Sequence, residues 1–493
     1  MALGCCYIIV PMRDRKILLA GLAVFYIIQF FAPNKPVYFL SYFAVLPFFY
    51  NLTKDIPKSL VYSLILSIFS EVGIGSSLFV MEPLYVNPDP GWMISPMTIL
   101  ILITFPFIFR KKVKVRLPDL LILFFLLWSV VTLFFNPYEN VLYGIIRTGE
   151  VILVYFILRI MLKSRDTAFI YYLLLSILGF LVLLGGLQFI LQRNIGIIAE
   201  SVNITYPYGL TAVEDINLFR ITGLSGHANL FAIDLITLLP FTIYSANLMI
   251  VILSGLGFLA FIFTHSRAAW AIGVGILVLM EITKDRKDRQ LMTADFTRLF
   301  RPGFYLLIII LSLPYIFIRL TSLDLAFEEG GSFNVRTKIW SEALNLFVRY
   351  PLTGIGINRF QQVASEEPVT NIFAASRFTP ATKIHNLFIE ILTETGFIGL
   401  MIFLVFIFSV YRYYFRNKNI NRRGFNVRRI SFFSLTGLIL ISLLHPFLAP
   451  LSLPLCCRCV EQEVMGPRPR ALLPPRWWCL DRSTYCQRQN RSE

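Results

Sequence analysis

The chain has 493 residues, of which 56% are hydrophobic, 15% aromatic and 15% charged, with a formal net charge of +16 and a mean hydropathy of +0.69. A soluble domain carries about 25% charged residues, so this composition excludes an ordinary soluble enzyme and places most of the chain in a bilayer. The apolar stretches are continuous, about 20 residues long, and match a hydrocarbon core of roughly 30 Å. They do not alternate apolar with polar, which excludes a transmembrane β-barrel.

Net positive charge raises the question of nucleic acid. Here the basic clusters lie between apolar runs, the pattern of cytoplasmic loops in a helical membrane protein, so membrane lipid and not nucleic acid is the expected partner. All seven cysteines lie at the extremities, Cys5, Cys6, Cys456, Cys457, Cys459, Cys479 and Cys486, and the body therefore carries no disulfide framework or thiolate metal site.

In chain order, the apolar runs predict helical spans at 15–33, 37–50, 58–80, 95–110, 118–135, 146–163, 168–192, 227–245, 247–264, 267–283, 303–319, 384–411 and 430–453. That is a polytopic all-α membrane protein of about thirteen spans. The second run is short, and Glu71, Gly73 and Gly75 interrupt the third.

The loops test the count. With Arg13, Arg15 and Lys16 inside, every second connection should be basic. Lys111 and Lys112 follow span four, Lys163 and Arg165 span six, Lys284 to Arg301 span ten, and Arg412 to Arg429 span twelve. All fall on the predicted inner side, whereas outer segments such as 81–92 are acidic or neutral.

Two outer segments are long, 192–226 and 321–383. The second contains Arg336-Thr337-Lys338-Ile339-Trp340 followed by Glu342, Leu344, Leu346 and Phe347, a pattern that predicts an amphipathic helix at the membrane surface. The expected division is an N-terminal set of spans over 12–200, a catalytic region over 201–411 with its external loop 321–383, and an inner loop plus last span over 412–455. The tail 456–493 is rich in Arg, Pro and Cys and has no apolar run, as a frameshifted or chimeric end would. The first eleven residues read as an extension before Met12, and no apolar stretch precedes Cys5, which excludes a lipoprotein box.

Polar residues on the outer side need a reason in a chain that otherwise keeps its charge inside. Arg220 precedes Gly226-His227-Ala228-Asn229 at the start of span eight. His265-Ser266-Arg267 makes a tight outer turn between spans nine and ten, Arg336 lies in the large outer loop, and His385-Asn386 opens span twelve ahead of Glu390 and Glu394. A lone arginine at a helix end often reaches headgroups with its charged tip. Several together suit a phosphate or diphosphate, because the guanidinium fork does not titrate away and donates in pairs.

Histidine titrates near neutrality, which makes His385 the candidate general base, with His265 and His227 open alternatives. Glu390 and Glu394, four apart on one helical face, are placed to orient His385 or to pair with a neighbouring helix. Arg147 and Glu150 are expected to tie span six to a neighbour, and Gly354-Ile355-Gly356 to mark a turn. No zinc, Walker, kinase or nucleophile-elbow motif stands in a supporting context, so no cofactor or metal is expected.

The order of these pieces resembles the O-antigen ligase family, which includes O-antigen and exopolysaccharide polymerases. The resemblance rests on Gly226-His227-Ala228-Asn229, Ser266-Arg267-Ala268-Ala269-Trp270, Arg336 to Trp340, Pro351-Leu352-Thr353-Gly354-Ile355-Gly356, and His385-Asn386 through Glu390, Gly396 and Gly399. It covers roughly 220–410.

The resemblance implies a C-type, metal-independent, inverting glycosyltransferase of the bacterial inner membrane, working on the external face. Its donor would be an undecaprenyl-diphosphate-linked glycan and its acceptor a glycan or lipid-linked hydroxyl. Arg220 and Arg336 match the diphosphate-binding positions, His385 matches the base, and Arg267 matches the Ser-Arg turn. His227, Asn229, Asn386 and Glu390 complete the expected substrate-binding set. A polymerase of the same family, a protein-glycosylating relative and a transporter or flippase for lipid-linked sugars stay open; the absence of an internal repeat counts against the transporter.

Overall fold

A computed structural model of the chain describes residues 12–69, 94–109, 111, 113–163, 166–197, 219–225, 228–243, 245, 247–283, 295–321, 327, 332–366, 384–416 and 427–443. The expected end of the third span, the connection 198–218 and the atypical tail 456–493 lie outside these residues.

The described residues form helices and no strand. In chain order they are α1 (Met12–Phe31), α2 (Lys35–Ala44), α3 (Leu46–Thr53), α4 (Ile56–Ser67), α5 (Pro96–Thr104, continued by a 3-10 turn at Phe105–Phe107), α6 (Leu117–Phe135), α7 (Glu139–Met161) and α8 (Thr167–Leu191). There follow α9 (Ala228–Leu238), α10 (Pro240–Ile243), α11 (Leu248–Phe263), α12 (Arg267–Ile282), α13 (Asp295–Thr321), α14 (Ser332–Arg349), α15 (Phe360–Glu366), α16 (Leu387–Arg416) and α17 (Val427–Ile441).

Local chemistry sets many of these starts. Asn34 caps α2 by accepting from the Val37 N–H at 3.0 Å, and Asp55 caps α4 by accepting from Lys58 N at 3.3 Å. Ser95 and Thr98 form a reciprocal capping box on α5, satisfying donors that a helix start leaves open. The run expected as one span over 37–50 is two helices that meet at Val45. Pro47, in the first turn of α3, lacks the N–H a continuous helix would use.

Five described helices are long and apolar enough to cross a membrane: Leu117–Phe135, Glu139–Met161, Thr167–Leu191, Pro302–Thr321 and Leu387–Phe415. Shorter apolar helices occupy Ile56–Ser67, Pro96–Phe107, Ala228–Ile243, Leu248–Phe263 and Arg429–Ile441. The long helices carry exposed apolar side chains such as Phe134, Ile190 and Phe317, which a soluble surface does not tolerate in such number but lipid does. The chain is an all-α membrane protein.

Contacts sort the helix ends into two sets. One set joins Lys58 to Asp166 at 2.7 Å, Arg159 to Asp119, Arg116 to the Tyr413 ring at 5.2 Å and Arg15 to the Tyr172 ring at 5.5 Å. The other joins Gln188 to Thr222 and Gly223, Arg220 to Thr264, Arg319 to His265 and Arg359 to Asn136. The first set holds ends that the charge bias expects inside, the second those it expects outside. No contact in either set pairs an expected inner end with an expected outer one.

Between these ends, Arg147 pairs with Glu150 at 2.6 Å. Glu150 also accepts from the Thr98 hydroxyl at 2.7 Å, so the pair ties α7 to α5 as expected for polar groups between membrane helices. The main core joins the helices of the N-terminal half to α9, α11, α12 and α17. A second core links α6 and α7 to α16, and a small third one carries the outer segment around α14.

Candidate functional site

The helix ends that the charge bias expects outside hold two polar arcs. The first is built on the turn between α11 and α12. Gln188 of α8, fully buried, accepts from the N–H groups of Thr222 and Gly223 at 3.1 and 2.9 Å, and this fixes the strand of chain that delivers Arg220. Arg220 Nε donates to the Thr264 carbonyl at 2.8 Å. Its Nη2 donates to Asn229 Oδ1 at 2.9 Å. Arg220 thus locks the turn to the start of α9, and Asn229, expected to bind substrate, orients an arginine.

The turn gathers two further arginines. Arg319, near the end of α13, donates from Nε to the His265 carbonyl at 3.2 Å, and Arg267 Nε donates to the Arg319 carbonyl at 3.2 Å. His265 sits at their centre with a left-handed backbone, φ +52°, and is 1% exposed. Its ring lies 6.1 Å from that of Trp270 and 6.0 Å from that of Tyr315. Neither ring nitrogen has a hydrogen-bond partner among the described residues. Burial, and then the charges of Arg220 and Arg319, push its pKa down to about 3, so the ring is neutral at physiological pH.

The second arc begins with α14, the amphipathic helix expected in the outer loop. Ile339, Glu342, Ala343 and Leu346 are fully buried, and the apolar ones pack on Ile355, Phe360, Val363 and Ile384. Arg336 lies half-buried one turn before this contact, with no side-chain hydrogen bond to a described residue. Burial lowers its pKa from the usual guanidinium value, and a guanidinium stays charged even so.

Trp340 Nε1 donates to the Ile384 carbonyl at 2.7 Å, which clamps the residue before His385. His385 is itself left-handed, φ +55°, and half-buried. Asn386 accepts from Phe388 N at 2.9 Å and Ile389 N at 3.1 Å, so its side-chain oxygen is the N-cap of α16. Glu390 stands one turn into the helix. Glu394, 7% exposed, accepts from Asn358 N at 2.8 Å and Phe360 N at 3.4 Å. That carboxylate thus holds the backbone leading into α15, a partner outside the helix-to-helix pairing expected for it.

A backbone crossing joins these parts. The turn at Pro351–Gly356 lies in a kink of α16, where Ile355 N donates to the Thr393 carbonyl, Gly356 N to that of Glu394 and Phe397 N to that of Pro351, at 3.0, 2.9 and 2.8 Å. A Cβ on Gly354 would meet the Glu394 carbonyl carbon at 2.4 Å, and one on Gly396 would meet the Leu352 carbonyl oxygen at 2.1 Å. Gly354 and Gly396 also have φ of +67° and +72°, conformations that favour glycine. The spacing of glycines in both motifs is thereby explained as a close crossing, and the expected turn at 354–356 is present.

α17 packs against helices of both arcs. Its end accepts from Leu387 N at the Ser442 carbonyl, at 2.8 Å, while a Cβ on Gly437 would touch Ile236 of α9 and Ile276 of α12 at 2.6 and 3.5 Å. Residues 250–404 match the profile of the O-antigen ligase family. The chain carries an O-antigen ligase region. No curated protein matches the chain. The ligase region runs from within α11 into α16 and contains Arg267, Arg336 and His385, whereas Arg220 and Asn229 precede it. His227 lies outside the described residues.

Two arginines of the ligase region escaped the sequence reading, Arg319 and Arg359. Arg319 carried a usable signal, a cation closing an apolar run on the expected outer side. Arg359 carried none beyond its place in the outer loop. Chemically, the first arc concentrates guanidinium groups suited to a phosphate, and the second presents a histidine held by fixed partners.

Proposed function

We propose that this protein transfers glycan from an undecaprenyl-diphosphate-linked donor to an acceptor hydroxyl, on the external face of a bacterial inner membrane. The observation that carries the reading is that the Arg220–Arg267–Arg319 cluster and the His385 segment share one set of helix ends, within and next to the ligase region. That set is the one the charge bias assigns outside, in a chain of about thirteen spans. Residues 12–200 then serve as scaffold, 201–411 as the catalytic region, and 412–455 as inner loop and last span.

In this reading Arg220 and Arg336 hold the donor diphosphate, with Arg267 beside them. His385 removes the acceptor proton as the hydroxyl oxygen attacks the anomeric carbon and the lipid diphosphate leaves, inverting the centre. Positive charge fixed where the leaving group develops its charge stabilises that transition state and needs no metal. His227, Asn229, Asn386 and Glu390 complete the substrate contacts, Asn229 and Asn386 through the groups they orient.

The test is transfer by purified protein with a synthetic lipid-diphosphate glycan, offered a lipid-linked repeat unit or a separate glycan acceptor. His385→Ala should abolish transfer while leaving the protein inserted and folded. Activity retained in that variant would refute the base assignment. Arg336→Lys should weaken donor use, since a point charge loses the paired donors; unchanged donor use would remove it from the diphosphate site. Use of the lipid-linked acceptor identifies a polymerase, use of the other a ligase, and translocation without new glycosidic bonds refutes the enzyme.

A further inference from the structure

The outer connection between α6 and α7 and the segment that follows the glycine crossing meet in a polar patch that none of the roles above uses. Arg359, 9% exposed, lies with its guanidinium carbon 3.4 Å from the centre of the Tyr138 ring. Its Nη1 donates to Asn136 Oδ1 at 3.1 Å, and Asn136 is 8% exposed. Asn140 donates to Gln362 at 3.3 Å. The segment is held from behind, because Glu394 grips the N–H groups on both sides of Arg359.

The composition of this patch is that of a surface reading hydroxyl groups: two Asn, one Gln, one Arg and a tyrosine ring. Amide and guanidinium groups donate and accept in fixed directions, and an aromatic ring offers a flat apolar face with a polar tip. The patch is rigid below and open above. Asn136 and Arg359 are buried, but Tyr138 is 43% exposed, and Asn140 and Gln362 are half-buried. Phe134 and Phe135, just before it, are 82% and 63% exposed, apolar side chains of the kind that face lipid. Phe360, next in chain to Arg359, packs in the same small core as Ile384, next to His385.

We propose that Tyr138, Asn140 and Gln362, held from behind by the buried Asn136–Arg359 pair, form a binding subsite for a sugar residue of the glycan substrate, with the sugar ring stacked on the exposed part of Tyr138 and its hydroxyls bonded by the Asn140 and Gln362 amides. This rests on the glycosyl-transfer reading, and Tyr138 acts as a specificity residue, outside the reacting groups. The bland alternative is a tyrosine of the aromatic belt, which would leave substrate use unmoved.

The experiment measures transfer kinetics and, separately, saturation-transfer NMR of a free oligosaccharide released from the host's own surface polysaccharide, both with full-length protein in nanodiscs. Tyr138→Ala should raise KM for the glycan roughly tenfold with kcat nearly unchanged, and Tyr138→Phe should restore most of it. Gln362→Ala, a milder change that leaves the Arg359 contacts in place, should raise KM in the same direction. Wild-type transfer with KM unmoved by Tyr138→Ala and Gln362→Ala overturns the subsite and leaves the transfer reading intact. If the wild type transfers nothing, the transfer reading fails, and NMR decides alone: oligosaccharide signal lost in Tyr138→Ala supports a sugar site, and equal signal or none overturns it.

Discussion

Gly396→Ala tests the glycine crossing directly. The native residue has φ +72° and ψ −175°, a region open in practice to glycine alone, where another residue costs about 1–3 kcal/mol. The new Cβ would also lie 2.1 Å from the Leu352 carbonyl oxygen, far inside contact distance, and both partners are backbone, so neither can rotate away. Relief requires the Pro351–Gly356 turn to lift from α16. That breaks the bonds from Ile355, Gly356 and Phe397, each worth about 0.5–1.5 kcal/mol net. The total is roughly 3–7 kcal/mol, enough to undock the turn and with it the Arg359 segment. Thermal unfolding in detergent should show a lower midpoint, and transfer should fall at least tenfold. Gly149→Ala is the control: a Cβ there meets nothing within 4 Å, and alanine in a helix should stabilise slightly. Wild-type midpoint and activity in Gly396→Ala would refute the crossing.

Trp340→Phe keeps the packing of α14 but loses the donor to the Ile384 carbonyl; kcat should fall several-fold with little change in donor KM, and unchanged kcat would detach α14 from His385. Lys58→Met removes one partner of a buried pair and leaves Asp166 with Tyr62 and the Lys163 N–H; a loss of about 3 kcal/mol is expected, read as a lower unfolding midpoint, and an unchanged midpoint would count against the pair. His265 has a folded-state pKa of about 3, below its unfolded value near 6.5. Its contribution to stability is therefore complete above pH 6.5 and is lost as pH falls from there towards 3, on the order of 1 kcal/mol per unit. His265→Phe should flatten the fall of the unfolding midpoint between pH 6.5 and 4.5, and an identical pH slope in the variant would refute the buried neutral ring.

How far the sequence reaches depends on the range of the interaction. The five long apolar helices were legible because a lipid environment demands apolar runs of fixed length, and the amphipathic stretch at 332–349 because its period is local. The Arg147–Glu150 tie, three residues apart, was legible for the same reason. Val45 was not foreseen as a break, since Pro47 sits in a run that is otherwise uniformly apolar. Glu394 was assigned a choice of roles, and its partners at 358 and 360 follow from a crossing that no local pattern encodes. The positions of Arg220, Arg267, Arg336 and His385 stood out by sidedness, yet sidedness says nothing about which residues touch. Arg319 obeys the same rule but closes an apolar run, where a single cation is unremarkable.

The two left-handed histidines show why burial, more than residue type, separates a base from a structural group. A non-glycine residue in this conformation costs about 1–3 kcal/mol and persists where its surroundings over-determine it. At His265 the surroundings are Arg319 on the carbonyl and Trp270 and Tyr315 against the ring. The ring is sealed, and its low pKa makes it a poor proton acceptor. At His385 the strain is held by the Trp340 bond to Ile384 on one side and the Asn386 cap on the other, both acting on backbone. The ring is half-buried at the start of α16, less enclosed than that of His265. A general base must meet its proton before its pKa matters. On that criterion the sealed His265 is excluded, which is why the proposed function gives the base to His385, and the arginines around His265 are better read as holding charge than as tuning a base.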